Sequence, residues 1–185
     1  MHSGRATGED YVVYVACSTL CFTKHSFEDA LAAIREMQFP KIDLAIHEHG
    51  PHLQPGEVLT DIMKVAQRLK AENLPIAAFH VDLGQGELHD QSRQLRGLCR
   101  LARLATVPLL TIPAAAAGSD FDKEVERLQD WQRIAAGEGV ILTVETHTSS
   151  LTADPAGAVE LCRRVPGLGL TLDPSHYHVG RNGAQ

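Results

Sequence analysis

Cysteine is scarce: Cys17, Cys21, Cys99 and Cys162 are the four thiols in 185 residues. Reduced side chains packed as small hydrophobes are the plainer reading, with zinc held by Cys17 and Cys21 as the alternative. Positive charge is also in deficit, 17 Lys and Arg against 23 Asp and Glu, for a formal net charge of −6. A chain of that balance has no bulk attraction to nucleic acid or to an anionic membrane. No apolar run reaches membrane-spanning length, and the opening MHSGRATGED lacks the apolar centre of a signal peptide. The expectation is a cytoplasmic protein with no nucleic-acid or membrane partner and with residues 1–10 as a flexible tail. At 44% hydrophobic the chain is long enough to bury a core, as one globular domain or part of a larger one.

Two further absences narrow the fold. Hairpin signals are missing between the short apolar runs, which fall at Val12–Cys17, Ile42–Ile46, Ile76–Phe79, Leu109–Ile112, Val140–Val144 and Leu168–Leu172. Nearly continuous Val, Ile and Leu in runs too short for helices indicates strands covered on both faces, as in parallel sheets. Between them lie amphipathic stretches at helical spacing. Ser26 and Asp29 cap one that carries Ala30, Ile34 and Met37, and Val58, Ile62, Val65 and Leu69 line a second. Leu95, Leu98, Ala102 and Ala105 mark a third, and Ser119 opens a fourth with Val125, Leu128 and Ala135. Asp154–Pro155 caps a fifth that carries Ala158, Cys162 and Val165. The alternation predicts right-handed βαβ units around a parallel sheet.

A unit repeats within the chain. GVILTVE (139–145) and GLGLTLD (167–173) superpose at an offset of 28 residues, and LLTIP (109–113) fits the same frame with Pro113 in place of the acid. A repeat of this length suits a (β/α)8 barrel or a doubly wound sheet. The doubly wound option requires a glycine-rich turn after the first strand. That turn reads STLCFTKHS and has no glycine, so the barrel is preferred.

Side chains alternate across a strand. Val140, Leu142 and Val144 share one face, and Ile141, Thr143 and Glu145 the other. The aliphatic set belongs under the helices, which turns Glu145 and, one unit later, Asp173 into the barrel at its C-terminal mouth, where barrel enzymes carry their chemistry. Either acid alone could be a turn cap. Two at equivalent positions, each followed by a histidine (His147 and His176), favour a shared metal or acid–base site. Carboxylate and imidazole donors suit Mn²⁺, Mg²⁺, Co²⁺ or Zn²⁺ rather than a thiolate-rich centre.

VILTVETH followed by LGLTLDPSHYHVG resembles the xylose isomerase-like TIM barrels of the sugar phosphate isomerase/epimerase superfamily, and SFEDALAAIREMQFPKIDLAI fits the same pattern. The resemblance covers nearly the whole chain. It implies a divalent metal at the barrel mouth, with Glu145 and Asp173 as ligands. It makes Glu145 an acid/base in proton transfer next to a carbonyl, through an enediolate. His176, from Asp-x-x-His, corresponds to a substrate or auxiliary metal contact, and His80 to a histidine facing the substrate. The implied partner is a sugar or sugar-derived small molecule, and a homo-oligomer is one way of completing the barrel. Six units are present where the family has eight, so a His and a second Glu of the ligand set fall outside the chain, and two more units would add roughly 60 residues. The expectation is a truncated product or fragment, impaired in activity.

AIHEHGPH (45–52) gathers His47, Glu48, His49 and His52 in a Gly-Pro loop. A solvated rim loop is the plainer reading, and contact of His47 or Glu48 with substrate stays open. His147 and His178 are weaker candidates, because alternation can turn them away from the mouth. Trp131 is read as packing. Two other function classes remain. One is an apurinic-site endonuclease-like phosphodiesterase, disfavoured by the net charge and by Pro113 at the fourth strand tip. The other is a non-catalytic degenerate barrel.

Overall fold

The computed structural model describes residues 13–179, so the expected flexible tail at 1–10 and the start of the first strand at Val12 lie outside the described residues. Six strands form one parallel sheet in chain order: β1 Ala16–Ser18, β2 Lys41–His47, β3 Ile76–Asp82, β4 Leu109–Pro113, β5 Ile141–Glu145 and β6 Gly169–Thr171. Among the described residues β1 and β6 each have a single strand neighbour, so the sheet is not closed. Helices follow the strands: α1 Phe27–Glu36, α2 Pro55–Thr60, α3 Ile62–Ala71, α4 Leu88–Ala105, α5 Phe121–Gly137, α6 Pro155–Arg164 and α7 Pro174–Val179. No helix among the described residues is long and apolar enough to cross a membrane.

The alternation read from the sequence is visible in burial. Leu142 and Val144 on β5, Leu44 and Ile46 on β2, and Phe79 and Val81 on β3 are fully buried beneath the helices. They pack on Leu31 and Ile34 of α1, Leu95 and Leu98 of α4, and Leu128 and Trp131 of α5. The expected caps at Ser26 and Asp154 accept hydrogen bonds from Asp29 N–H and Gly157 N–H. The fourth expected helix begins one residue later than its Ser119 signal, with Asp120 as the cap, because the Asp120 carboxylate takes both the Asp122 and Lys123 amides.

The second expected helix is two. Asp61 leaves the helical region (φ −155°, ψ 84°) and closes α2, and its side chain then accepts the Lys64 amide to open α3. One aliphatic face runs through both, so periodicity alone does not reveal the break. Short α7 was not anticipated. The register of β2 on β3 shifts at Ile42/Asp43: Ile42 lies opposite Ile76, but Asp43 lies opposite Ala78. That bulge sets Asp43 beside the face of β3 that carries His80.

Candidate active site

In (β/α)8 barrels alternate strands supply successive layers of interior side chains. The odd strands here bring Ser18, His80 and Glu145 inward, and the even strands bring Asp43, Thr111 and Thr171. These six border a cavity of about 270 Å³ inside the sheet. A larger cavity of about 560 Å³ opens above it at the C-terminal strand ends, bordered by His47, His80, Glu145, His147 and Arg127.

The centre of the site is a charge-assisted pair. His80 Nε2 lies 3.3 Å from Glu145 Oε2, the two side chains being 18% and 22% exposed. The His80 hydrogen bond holds the Glu145 carboxyl below its ordinary value against the opposing effect of burial, and the His147 and His176 rings act in the same direction. Burial pulls His80 down, but the Glu145 hydrogen bond and charge, with Asp43 and Asp82, more than offset it and raise its pKa. His47 packs edge-on against His80, with ring centroids 5.2 Å apart. Burial and the His80 charge depress the His47 pKa, against the opposing pull of Asp82 and Glu145.

Beneath the pair, Thr111, Thr143 and Thr171 close a ring of hydroxyls at 2.9, 2.9 and 2.7 Å. Asp43 lies in the same interior with its Oδ1 buried and without a partner. Burial, aided by the Glu145 charge and opposed by His80, raises the Asp43 pKa.

A second histidine pair flanks Glu145. His147 Nδ1 accepts from the Ser149 amide at 3.2 Å and lies 2.8 Å from the Ser149 hydroxyl. An amide can only donate, so Nδ1 is unprotonated and Nε2 carries the proton of the neutral ring. The His147 and His176 ring centroids lie 4.1 Å apart, with the planes tilted by 46°. Asp173 is tied down locally: its Oδ1 accepts from the Ser175 amide at 2.9 Å and hydroxyl at 2.6 Å, and its Oδ2 is 3.7 Å from His176 Nε2. Those Ser175 hydrogen bonds, the turn-cap arrangement, keep Asp173 below the usual carboxylate range. The buried Thr146 hydroxyl bridges the Asp173 amide and carbonyl at 2.7 and 3.0 Å and clamps the two strand tips together.

Of the residues singled out from the sequence, His80, Glu145 and His47 meet at one place, and His176 and Asp173 form the neighbouring cluster. Glu48 points elsewhere: its Oε2 accepts from Gln94 at 3.3 Å, and it does not border the mouth cavity. His178 is exposed. His147 does border the mouth, because Ser149 turns its ring inward, and alternation could not anticipate this. Arg127 is also new. Buried Glu124 grips its guanidinium at 2.6 Å from both Nε and Nη2, while the guanidinium lies 4.1 Å over the Trp131 ring. A helix-borne arginine reaching a strand tip leaves no periodic signal. Asp43 was hidden in the apolar run KIDLAI.

The donors fit a hard or borderline divalent cation in kind, being two carboxylates on adjacent strand ends with imidazoles beside them. Among the described residues, no three of them converge as a ligand cluster.

No match was found among curated proteins. Solved structures share the fold at low identity. The probable 3-DHS dehydratase AsbF from Bacillus anthracis is 20% identical with a TM-score of 0.70, over 89% of this chain and 64% of that one. D-allulose 3-epimerase from Methylomonas sp. is 15% identical with a TM-score of 0.70, over 92% and 66%. A xylose isomerase-like TIM barrel protein from Mycobacterium smegmatis, in complex with magnesium, is 16% identical with a TM-score of 0.69, over 88% and 65%. The chain thus spans about two thirds of the length of these structures. The family model for the xylose isomerase-like TIM barrel matches residues 24–185, and with the open parallel barrel sheet described above it places the chain in that family.

Proposed function

We propose that this chain carries the Glu145 half of a divalent-metal-dependent isomerase or epimerase site, acting on a sugar or sugar-derived carbonyl compound by proton transfer through an enediolate. The observation that carries the reading is the Glu145–His80 pair at the C-terminal mouth of the parallel sheet. Glu145 and Asp173 are the residues that would hold Mn²⁺, Mg²⁺, Co²⁺ or Zn²⁺, and the ion would polarise the substrate carbonyl and acidify the adjacent C–H.

The protein's own groups do the rest. His80 keeps Glu145 ionised at neutral pH, so its free oxygen can accept a proton from the carbon next to the carbonyl. The same carboxyl returns that proton to the neighbouring carbon in an isomerase, or a second acid delivers one to the opposite face in an epimerase. His147 offers Nε2–H as a donor to a substrate oxygen. His47 and the stacked Arg127 shape the pocket wall, and His176 stands behind it against the His147 ring. The magnesium complex of the Mycobacterium smegmatis protein and the epimerase among the similar structures support this reading.

The test is deuterium exchange. The chain is incubated with Mn²⁺ and a ketohexose in D2O, and loss of the proton next to the carbonyl is followed by NMR. Wild-type protein is expected to exchange that proton, and Glu145→Gln to slow the exchange by about 10²-fold or more, the usual contribution of a positioned general base. Equal exchange in the two proteins sinks the proposal.

A further inference from the structure

Asp43 takes no part in the proton transfer, yet its carboxylate borders the inner cavity with one oxygen buried. In register it lies opposite Ser18 on β1 and, past the β2–β3 bulge, opposite Ala78 on β3, two residues before His80. Its Oδ1 is buried without a partner, and no side chain or amide among the described residues donates to either of its oxygens.

Among the described residues none of the surrounding donors is engaged with Asp43. Each of Thr111, Thr143 and Thr171 has one hydroxyl proton, and the closed ring of three hydrogen bonds uses all three. His80 Nε2 faces Glu145, and the Ser18 hydroxyl, which accepts from Leu20 N–H at 3.3 Å, makes no hydrogen bond to Asp43. A buried carboxylate is an acceptor only, and leaving it without a donor is costly. A hydroxyl-bearing group in the 270 Å³ cavity that Asp43 borders would supply the missing donor. A carboxylate or phosphate placed there would bring a further negative charge beside Asp43 and Glu145, and among the described residues no Lys or Arg borders this cavity.

We propose that Asp43 is the floor of the substrate pocket and a specificity-determining residue: it selects a neutral, hydroxyl-bearing end and rejects an anionic one. The buried end of the substrate is thus a polyol, and any charged group on it points out of the mouth. This rests on the isomerase or epimerase reading and narrows its substrate class.

The test compares two six-carbon probes that present the same group at either end, so that orientation does not matter. D-glucitol carries hydroxyls at both ends, and D-glucarate carries carboxylates. Binding to the full chain is measured by saturation-transfer NMR with a chelator present, so that metal–glucarate complexes do not contribute. Wild-type protein is expected to favour D-glucitol by about tenfold or more, as sites with buried hydrogen-bonding groups do when a ligand leaves them unpaired. Asp43→Asn, which removes the charge and adds a donor, should shrink that preference to within about threefold, by weakening D-glucitol and strengthening D-glucarate. Circular dichroism checks the fold of the variant, and Asp43→Ser replaces it if the amide does not fold. A preference unchanged by the substitution overturns the proposal, and so does a wild-type protein that binds D-glucarate as well as D-glucitol or binds neither. The deuterium-exchange result is independent of these titrations. Exchange that depends on Glu145 together with an unchanged preference removes the Asp43 floor alone.

Discussion

A hydrogen bond from His80 keeps Glu145 charged, whereas burial without a donor pushes Asp43 towards its neutral form. The two carboxyls share one interior and are driven apart by their surroundings, which is the usual way a site separates the roles of its acids. The consequences for stability have opposite signs. The folded-state pKa of Glu145 lies below its unfolded value, so its contribution is present above the unfolded pKa and lost as pH falls through the folded one. Asp43 has a folded pKa above its unfolded value, so the folded state holds the extra proton between the two, and stability declines as pH rises through that window. His80, raised, contributes below its unfolded pKa and loses that contribution as pH climbs through its folded one. Replacing Asp43 by Asn should therefore raise Tm at pH 7 and leave a much smaller difference near pH 4. Scanning calorimetry at the two values checks this, and a gain independent of pH would refute the assignment.

At the scale of elements, the threonine ring joins β4, β5 and β6 beneath the His80–Glu145 pair. Thr143 is 3% exposed and lies on β5, between the strands of its two ring partners, which makes it the natural place to break the ring. Thr143→Val keeps the volume but leaves the Thr111 and Thr171 hydroxyls short of partners. The expected loss is about 1–3 kcal/mol in urea unfolding, with the slope m unchanged, as for unpaired buried polar groups. A loss below a few tenths would mean that water replaces the hydroxyl without cost.

What could be read from the sequence divides along the same physical lines. The strand runs and the inward face of β5 were legible because burial on both sides demands Val, Ile and Leu in alternation with the residues turned inward. Glu145 followed from that alternation. The conformations of the Asp61 break, the Asp43 bulge and the Ser149-turned His147 ring are set by single hydrogen bonds or one-residue register shifts, which leave no periodic trace. Alternation turns Asp173 towards the mouth but says nothing of Ser175, which captures its carboxylate.

Across the whole molecule the two ends of the sheet differ from its middle. Leu142 and Val144 on β5 are fully buried, while their counterparts one unit later, Leu170 and Leu172, are 37% and 61% exposed. Beside them β6 has no strand on its outer side among the described residues, so unpaired backbone groups and apolar side chains run along one edge. Such an edge is a template for pairing with another strand, and proteins that keep theirs free usually blunt it with charge or proline. Two copies joined through their β6 edges would cover both features at once, in an isologous contact typical of closed dimers. Sedimentation velocity over a hundredfold range of concentration should accordingly show reversible association of the purified chain. Leu172→Lys places a charge in that contact and should shift the distribution to monomer without lowering Tm, because the leucine it replaces is largely in water already. A wild-type chain that stays monomeric throughout, or a variant that associates equally well, would show that the β6 edge is covered within one molecule.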